Sequence, residues 1–330
     1  MNNIKYKYIF LSLLIIILTS CSNKTTNDIN ELNSSISIEE VKLQNTTTSI
    51  NSLESTQSAK FSFPFNIDNK ELNKLIEDKY NKSATEKQFY ESLDEIGFST
   101  NSGFSKNDID VLLHCKKIRI ELLCPVDLSL FSELKQLEFI SICEGAESAF
   151  VSTEKRYVDD YSFLKSLTDL CELRLINAEI DISLLEEMHK LKSLTIGESI
   201  IRGDRKIDLS SLESACFAYC DFDDMELLTS FYNICELEMD FCHYPKGQIQ
   251  VLNTLSQLTK LSLTNCDLSE LTDLSSLERL KILNIYTYPP NKFPPKELLN
   301  NIPLVDTLII QEEEFDGLQL ELGYEIISYR

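Results

Sequence analysis

Tryptophan is absent from this chain of 330 residues, and glycine and proline occur only eight times each. So few glycines argue against a nucleotide-binding fold built on glycine-rich phosphate loops. Basic residues are also scarce, since 31 lysines and arginines face 53 aspartates and glutamates, which gives a net charge of −22. Nucleic acids are bound through clustered Lys and Arg, so we expect no nucleic-acid partner.

Motifs for catalysis and metal binding are missing as well. The sequence has no H-E-x-x-H, Walker or G-x-S-x-G motif, and His114, His189 and His243 stand in no recognisable catalytic setting. No Cys-x-x-Cys pair indicates zinc, and no EF-hand spacing accompanies the acidic clusters. We therefore expect a protein that is not an enzyme and uses no metal or cofactor. The remaining alternative is a catalytic site within the first 110 residues.

Residues 1–20 have the three parts of a secretory signal peptide. Lys5 and Lys7 form a basic start, an apolar run over residues 9–18 follows, and Cys21 comes after small residues. The run is too short to span a bilayer as a helix. Its L-T-S-C ending resembles the lipobox of bacterial lipoproteins, whose cysteine receives a diacylglyceryl group and often a further acyl chain such as palmitate. The resemblance implies a lipid anchor on Cys21 at the extracytoplasmic face of a bacterial cell membrane; the alternative is a plain signal peptide.

Composition then predicts a tether and a cap. Residues 21–60 are rich in Ser, Thr and Asn and bury too little apolar surface to fold, so we expect a disordered tether. Apolar residues return over 61–112, where a small helical N-terminal cap is predicted. Its first helical stretch covers 71–96 with a break near Ser83, and residues 105–108 resemble a helix start. An independent functional domain is the alternative for this segment.

Residues 113–330 repeat one leucine pattern, and leucine occupies 50 positions of the chain. The unit L-x-x-L-x-L-x-x-C, clearest over 258–266, recurs about every 22 residues and is followed by leucines three apart. The central apolar residues of the copies are Ile118, Leu137, Leu173, Leu194, Ala215, Leu237, Leu261, Leu283 and Leu308.

This pattern resembles leucine-rich repeats, and its period resembles their internalin-like bacterial subclass, although Cys stands where Asn is usual. The resemblance implies an α/β solenoid. Short strands stack into one curved parallel β-sheet with leucines pointing inward, and extended or 3₁₀-like segments run back on the opposite side.

The step between the second and third copies is 36 residues long, which marks an insertion. We interpret residues 144–157 as an inserted loop. Insertions in repeat proteins lie on one face and often bind partners. A neutral insertion is the equally weighted alternative.

The cysteines divide into two sets. Cys220, Cys242 and Cys266 share one repeat position, and we interpret them as buried thiols that cap turns, with a disulfide between neighbouring repeats as the alternative. The other set falls on outward or edge positions of strands, where the sequence leaves the redox state open: Cys171, Cys216 and Cys235.

In this fold the outward residues of the strands form the concave surface. Tyr219, Phe241 and Tyr286 are predicted there beside Glu238 and Asp240. Exposed aromatic residues beside charges are typical anchors of protein interfaces. We therefore predict a surface-anchored lipoprotein that binds an unknown protein partner, for adhesion or envelope recognition. The alternative is a structural envelope component without a dedicated external ligand.

The lipobox predicts that lipid is attached at Cys21. Cells that express the full chain and are fed an alkyne-tagged palmitate analogue should label the protein, and Cys21→Ser should abolish the label because the acceptor thiol is gone. Cys235→Ser, which removes a different thiol, should keep it. In-gel fluorescence after cycloaddition measures the label. Persistent labelling of Cys21→Ser would remove the anchor from consideration.

Overall fold

The computed structural model describes residues 61–145, 156–203, 207–287, 295–311 and 325–329. All of them belong to the unit Phe61–Arg330. The predicted signal peptide, Cys21 and the predicted tether lie outside the described residues, and so do residues 146–155 of the predicted insertion.

Short strands dominate the described part of the chain. Their bounds are β1 Glu95–Thr100, β2 Lys117–Leu122, β3 Phe139–Glu144, β4 Glu172–Ile176, β5 Glu179–Asp181, β6 Ser193–Gly197, β7 Ile200–Arg202, β8 Ser214–Ala218, β9 Asp221–Phe222, β10 Glu236–Asp240, β11 Lys260–Thr264, β12 Ile282–Asn284, β13 Thr307–Gln311 and β14 Glu325–Tyr329. Eleven of these strands pair side by side in a single sheet, in the order β1-β2-β3-β4-β6-β8-β10-β11-β12-β13-β14, and the other three pair as β5-β7-β9.

Helices are short and lie between the strands or before them. The α-helices are α1 Lys70–Lys82, α2 Glu86–Ser92, α3 Lys106–Leu112 and α4 Lys296–Asn300, and the 3₁₀-helices are η1 Ser129–Glu133, η2 Ser162–Ser166, η3 Ile182–Leu185, η4 Met225–Ser230 and η5 Ile249–Thr254. None of the described helices is long and apolar enough to cross a bilayer.

Every pair of neighbouring strands in the large sheet is parallel, and the register places equivalent repeat residues opposite each other. Leu173 pairs with Leu194, Leu194 with Ala215, and Ala215 with Leu237. These residues are at most 2% exposed, so each repeat buries its apolar face against its neighbours. A single repeat has no such partner, which is why the stack is stable only as a whole. The predicted leucine-rich repeat solenoid with a parallel sheet is confirmed.

One predicted copy was placed three residues too early. In the register, Ile118 pairs with Ile140, and Ile140 pairs with Leu173, so Ile140 is the central residue and Leu137 is not. The segment that runs back from one strand to the next, which we call the return arm, explains the error. Leu128, Phe131, Leu134 and Leu137 are spaced by three, and the N–H of each of the last three donates to the carbonyl of the one before, at 2.9–3.1 Å. A 3₁₀ turn contains three residues, so this spacing keeps all four side chains on the buried side.

The predicted cap contains a strand as well as helices. The helix expected over 71–96 breaks at Ser83, as predicted, but it ends at Ser92, and β1 follows it. Strand β1 pairs with β2, with Ile96 opposite Ile118, so it acts as a first repeat strand. Burial of Ile96 against the next strand outweighs the helical spacing of the apolar residues before it.

The helix start predicted at residues 105–108 is a capping box. The Asp108 backbone N–H donates to the Ser105 hydroxyl at 3.4 Å, while the Asp108 carboxylate accepts from the Ser105 N–H at 2.7 Å. That carboxylate is fully buried and also accepts from the N–H groups of Asp68 and Asn69 at 2.9 and 2.8 Å. Asp108 therefore ties the residues before α1 to α3.

Aspartates begin many of the return arms. Asp127, Asp160 and Asp208 each accept the N–H of a serine two residues later, at 2.7–3.0 Å. The same turn begins at Asp181, Asp224, Asp267 and Asp273. Such a turn offers the backbone N–H a partner that the sheet does not supply. Part of the excess negative charge thus has a local structural role.

The insertion begins one residue later than predicted, because Glu144 is the last residue of β3. Its side chain is 2% exposed and accepts hydrogen bonds from the N–H groups of Tyr157 and Val158 and from the Tyr161 hydroxyl, the Val158 bond being 2.9 Å long. Burial raises the pKa of Glu144, and these donors oppose that shift. One carboxylate therefore joins the end of β3 to the residues that follow the insertion.

Stacking of inward leucines predicts a large stability cost for deleting one of them. Leu194→Ala should lower the free energy of unfolding by about 2–5 kcal/mol, because the fully buried side chain leaves a cavity. Ser193→Ala, the adjacent half-buried position, should change it by less than about 0.5 kcal/mol. Urea titration followed by circular dichroism compares the two. Equal costs would contradict the inward placement of Leu194.

Candidate protein-binding face

The strand residues that alternate with the leucine-core residues form one face of the sheet, which we call the open sheet face, although its residues on β6 and β8 are themselves buried. The register aligns two rows on it. One row is Arg174, Thr195, Cys216, Glu238, Ser262 and Asn284, and the next is Ile176, Gly197, Ala218, Asp240, Thr264 and Tyr286. The predicted site residues Glu238 and Asp240 both lie on this face, on β10.

The residue that follows each of several strands has a left-handed backbone. Tyr219 has φ of 58° and Phe241 has φ of 50°, as do Asn177, Glu198 and Asn265 with φ of 51–62°. Each N–H donates to a carbonyl of the next strand, as from Tyr219 to Asp240 at 2.7 Å. Asn tolerates this conformation, but for a bulky aromatic residue it costs about 1–3 kcal/mol.

Tyr219 and Phe241 form a stacked pair at this edge of the face. Their ring centroids are 4.8 Å apart and their planes differ by 10°. Both residues are half-buried. Because the solenoid would fold with Asn at these positions, as it does at 177 and 265, the strain at two aromatic residues favours a role in binding.

Asp240 is the last residue of β10, directly before Phe241, and is held in place by the next repeat. Its carboxylate accepts from the Thr264 hydroxyl at 2.6 Å and from the Asn265 amide at 2.9 Å. Burial raises the pKa of Asp240, and these two hydrogen bonds oppose the shift. Burial also raises the pKa of Tyr219, with the charges of Asp240 and Glu198 adding to the effect, so the three groups are neighbours.

Glu238 is the most strongly paired of the predicted residues. Its carboxylate forms an ion pair with Lys260 on the neighbouring strand, and the two side chains are only 20% and 32% exposed. Lys260 was not among the residues predicted for the site. The register is the signal that would have found it, since Lys260 sits beside Glu236 on the same face.

Tyr286 is the most distant of the five predicted residues. It follows β12, and its carbonyl accepts the Asn265 N–H at 2.9 Å. Strand β12 lies two strands away from β10, which carries Asp240, and this spacing is about 10 Å. The structure thus brings together Tyr219, Glu238, Asp240 and Phe241, with Tyr286 further along the same row.

Comparisons with known proteins bear on the fold alone. No known family model matches the sequence, and no curated protein is similar to it. The chain is similar to two solved internalins. One, the internalin inlF of Listeria monocytogenes, is 19% identical over 78% of this chain and 88% of its own, with a TM-score of 0.38. The other, internalin C2 of the same organism, is 15% identical over 66% and 93%, with a TM-score of 0.45. The assignment of the fold rests on the strand register described above.

The repeated cysteines lie just behind this face. The Cys220 thiol is 3.2 Å from the carbonyl oxygen of Ile196, the Cys242 thiol is 3.4 Å from that of Phe217, and the Cys266 thiol makes the same contact with Met239 at 3.7 Å. Burial raises the pKa of Cys242. The interpretation of these residues as buried thiols that cap turns is confirmed, and all nine described cysteines are free thiols.

The second set of cysteines occupies three different environments. Cys216 lies on the open sheet face but is only 3% exposed, Cys171 is half-buried and Cys235 is exposed. Within the described part of the chain, no group of three or more His, Cys, Asp or Glu side chains is arranged to hold a metal ion.

The raised pKa of Asp240 predicts a pH-dependent contribution to stability. The folded state keeps this proton at a higher pH than the unfolded chain, so the contribution of Asp240 falls as pH rises from near 3.8 through the folded-state pKa. Asp240→Asn should remove the part of the pH-dependent decline in the free energy of unfolding that Asp240 causes. Urea titrations between pH 4 and 7 measure it, with Glu236→Gln on the same strand as the control. Parallel profiles for Asp240→Asn and the original protein would contradict the shift.

Proposed function

We propose that this protein is a lipid-anchored, extracytoplasmic binding protein of a bacterial cell, whose leucine-rich repeats bind another protein through the open sheet face. The observation that carries the proposal is the stacked pair of Tyr219 and Phe241, which are held in a strained backbone beside Asp240. Aromatic residues that meet solvent next to charges anchor many protein interfaces.

The chemistry of the face favours a macromolecular partner. Its rows run across consecutive parallel strands, from Arg174 to Asn284. An extended sheet of this kind suits a broad protein surface better than a small molecule, which binds in an enclosed cavity. Acidic and aromatic side chains, without a cluster of basic ones, also disfavour nucleic acid.

The sequence supports the proposed location. The lipobox-like ending at Cys21 would supply acyl chains, and two or more such chains hold a protein stably on a membrane. Residues 21–60 would then separate the repeats from the lipid surface. Adhesion to another cell and recognition within the envelope both fit this arrangement.

The aromatic pair gives the proposal a sharp test. Tyr219→Asn combined with Phe241→Asn deletes both rings but keeps a residue type that the solenoid already uses at 177 and 265. Full-length protein should therefore fold normally yet capture its partner at least about tenfold less well, since anchor residues are worth about 2 kcal/mol or more. Cross-linking of intact cells, envelope fractions and host-cell extracts, followed by quantitative mass spectrometry, measures capture.

The matched control is Tyr232→Asn, which removes an exposed tyrosine that lies off this face and bonds Asp208. Capture should survive this change. Equal capture by the double variant and the original protein would reject the open sheet face as the binding surface. Self-association with no external protein captured would instead favour a structural component of the envelope.

A further inference from the structure

Two arginines occupy one row of the open sheet face near its N-terminal end. The register places Arg119 of β2 opposite Ser141 of β3, and Ser141 opposite Arg174 of β4. We call these three residues the arginine row. Neighbouring strands lie about 5 Å apart, so about 10 Å separates the two arginine backbones, and only the small side chain of Ser141 stands between them.

Arg119 is the more exposed of the two arginines. Its side chain is 52% exposed, and its guanidinium carbon lies 4.7 Å from the centre of the Phe139 ring. A cation over an aromatic ring is attracted to it, so Phe139 helps to fix the position of the guanidinium. Among the described residues, Glu95 is the only side chain with which this guanidinium forms a hydrogen bond, and the group has five N–H donors. Most of these donors therefore remain for another acceptor.

Arg174 has even fewer partners. Its Nη2 atom lies 3.6 Å from Oε1 of Glu172, which is longer than an ordinary hydrogen bond. Its Nε atom is buried and has no hydrogen-bond partner among the described residues. The side chain is 16% exposed, so solvent replaces the missing acceptors only in part. Because donors without acceptors are costly, binding of an external acceptor at the exposed edge of this guanidinium is favoured.

Both guanidinium groups lie beside the same position of β3. Arg119 covers Phe139, and in the register Phe139 stands opposite Glu172, the ion-pair partner of Arg174. One ligand group above this position therefore has both arginines within reach. The Ser141 hydroxyl lies two residues further along the same face of β3 and adds a donor there.

The charges around the arginine row favour an anion of single charge. Three cations are interspersed with carboxylates here, and they are Lys117, Arg119 and Arg174. Glu95 and Glu172 pair with the two arginines, whereas Lys117 forms no ion pair within the described part of the chain. Glu121 accepts from the Ser99 hydroxyl on β1, on the far side of β2 from β3. A carboxylate carries one negative charge, but a phosphate carries nearly two, which Glu95 and Glu172 would repel more strongly.

We infer that the arginine row binds a carboxylate side chain, from an aspartate or glutamate of the partner protein, through the guanidinium groups of Arg119 and Arg174. The planar guanidinium matches the two oxygens of a carboxylate, which is why arginine is common at such contacts. The inference rests on the proposed function and names the chemistry by which the partner meets this part of the face.

Two probes of the same shape test the need for charge. N-acetyl-glutamate methylamide carries a carboxylate, and N-acetyl-glutamine methylamide replaces it with a neutral amide. Each is titrated into full-length protein in detergent micelles at about 0.15 M salt, which screens long-range repulsion by the acidic chain. Calorimetry measures affinity, and the ¹⁵N-labelled Nε–H signals of Arg119 and Arg174 locate the contact. The glutamate probe should shift both signals and bind about tenfold more tightly than the glutamine probe.

A phosphate probe distinguishes the two kinds of anion. N-acetyl-phosphoserine methylamide should bind no more tightly than the glutamate probe, because its second charge faces Glu95 and Glu172. Tighter binding of the phosphoserine probe would overturn the assignment to a carboxylate.

Two double variants with the same change in net charge test the location. Arg119→Gln with Arg174→Gln should reduce glutamate binding to the glutamine level. Lys190→Gln with Lys192→Gln removes two exposed cations that also pair with carboxylates, and it should leave the preference intact. Equal binding of the glutamate and glutamine probes to the original protein, a comparison that needs no variant, would overturn the inference. Equal effects of the two double variants would also overturn it.

The outcome is distinct from that of the capture experiment. If the aromatic double variant loses its partner while the glutamate and glutamine probes bind equally, the open sheet face binds protein without a carboxylate site, and this inference fails alone. If no partner depends on the aromatic pair while the glutamate probe still binds selectively at the arginine row, the carboxylate site stands and the proposed function fails.

Discussion

Register between neighbouring parallel strands is the constraint on which the rest of this structure depends. Each repeat contributes one strand and one return arm, and its leucines have no buried environment until the next repeat covers them. The hydrogen bonds that align Leu173 with Leu194, and Leu237 with Leu261, also align the other residues of these strands. Rows of outward side chains therefore form automatically, and a functional surface needs only substitutions at positions that the core does not use.

At the ends of the strands, polar backbone groups find hydrogen-bond partners in the neighbouring repeat. A left-handed residue turns the chain and donates its N–H to the next strand, and the residue after it points inward, where Cys220, Cys242 and Cys266 place thiols on buried carbonyl groups. The left-handed turn directs the side chains of Tyr219 and Phe241 to one edge of the open face, where they stack. The same left-handed turn therefore satisfies backbone groups at the strand end and positions the aromatic pair.

Negative charge has several roles here. Aspartates such as Asp127 and Asp273 satisfy backbone N–H groups at the start of return arms, which lowers the pKa of both. Buried Asp108 and Glu144 join segments that are distant in sequence. Asp240 and Glu198 differ from these, because their charges act on Tyr219 at the edge of the open sheet face. The same residue types therefore serve the fold in most places and a surface in one.

The leucine spacing by itself determined the architecture, because a core built from identical positions leaves a period that no other fold explains. It also identified the outward strand residues, including Glu238 and Asp240, since side chains alternate along a strand. Only the tertiary structure decided the register of the irregular repeats. Leu137 has the right residue type for a strand but packs in a return arm, and Ile96 joins the sheet despite following helical residues. The pairing of Glu238 with Lys260 and the left-handed backbone likewise follow from contacts between repeats. A linear pattern does not record which residues meet across about 5 Å of sheet.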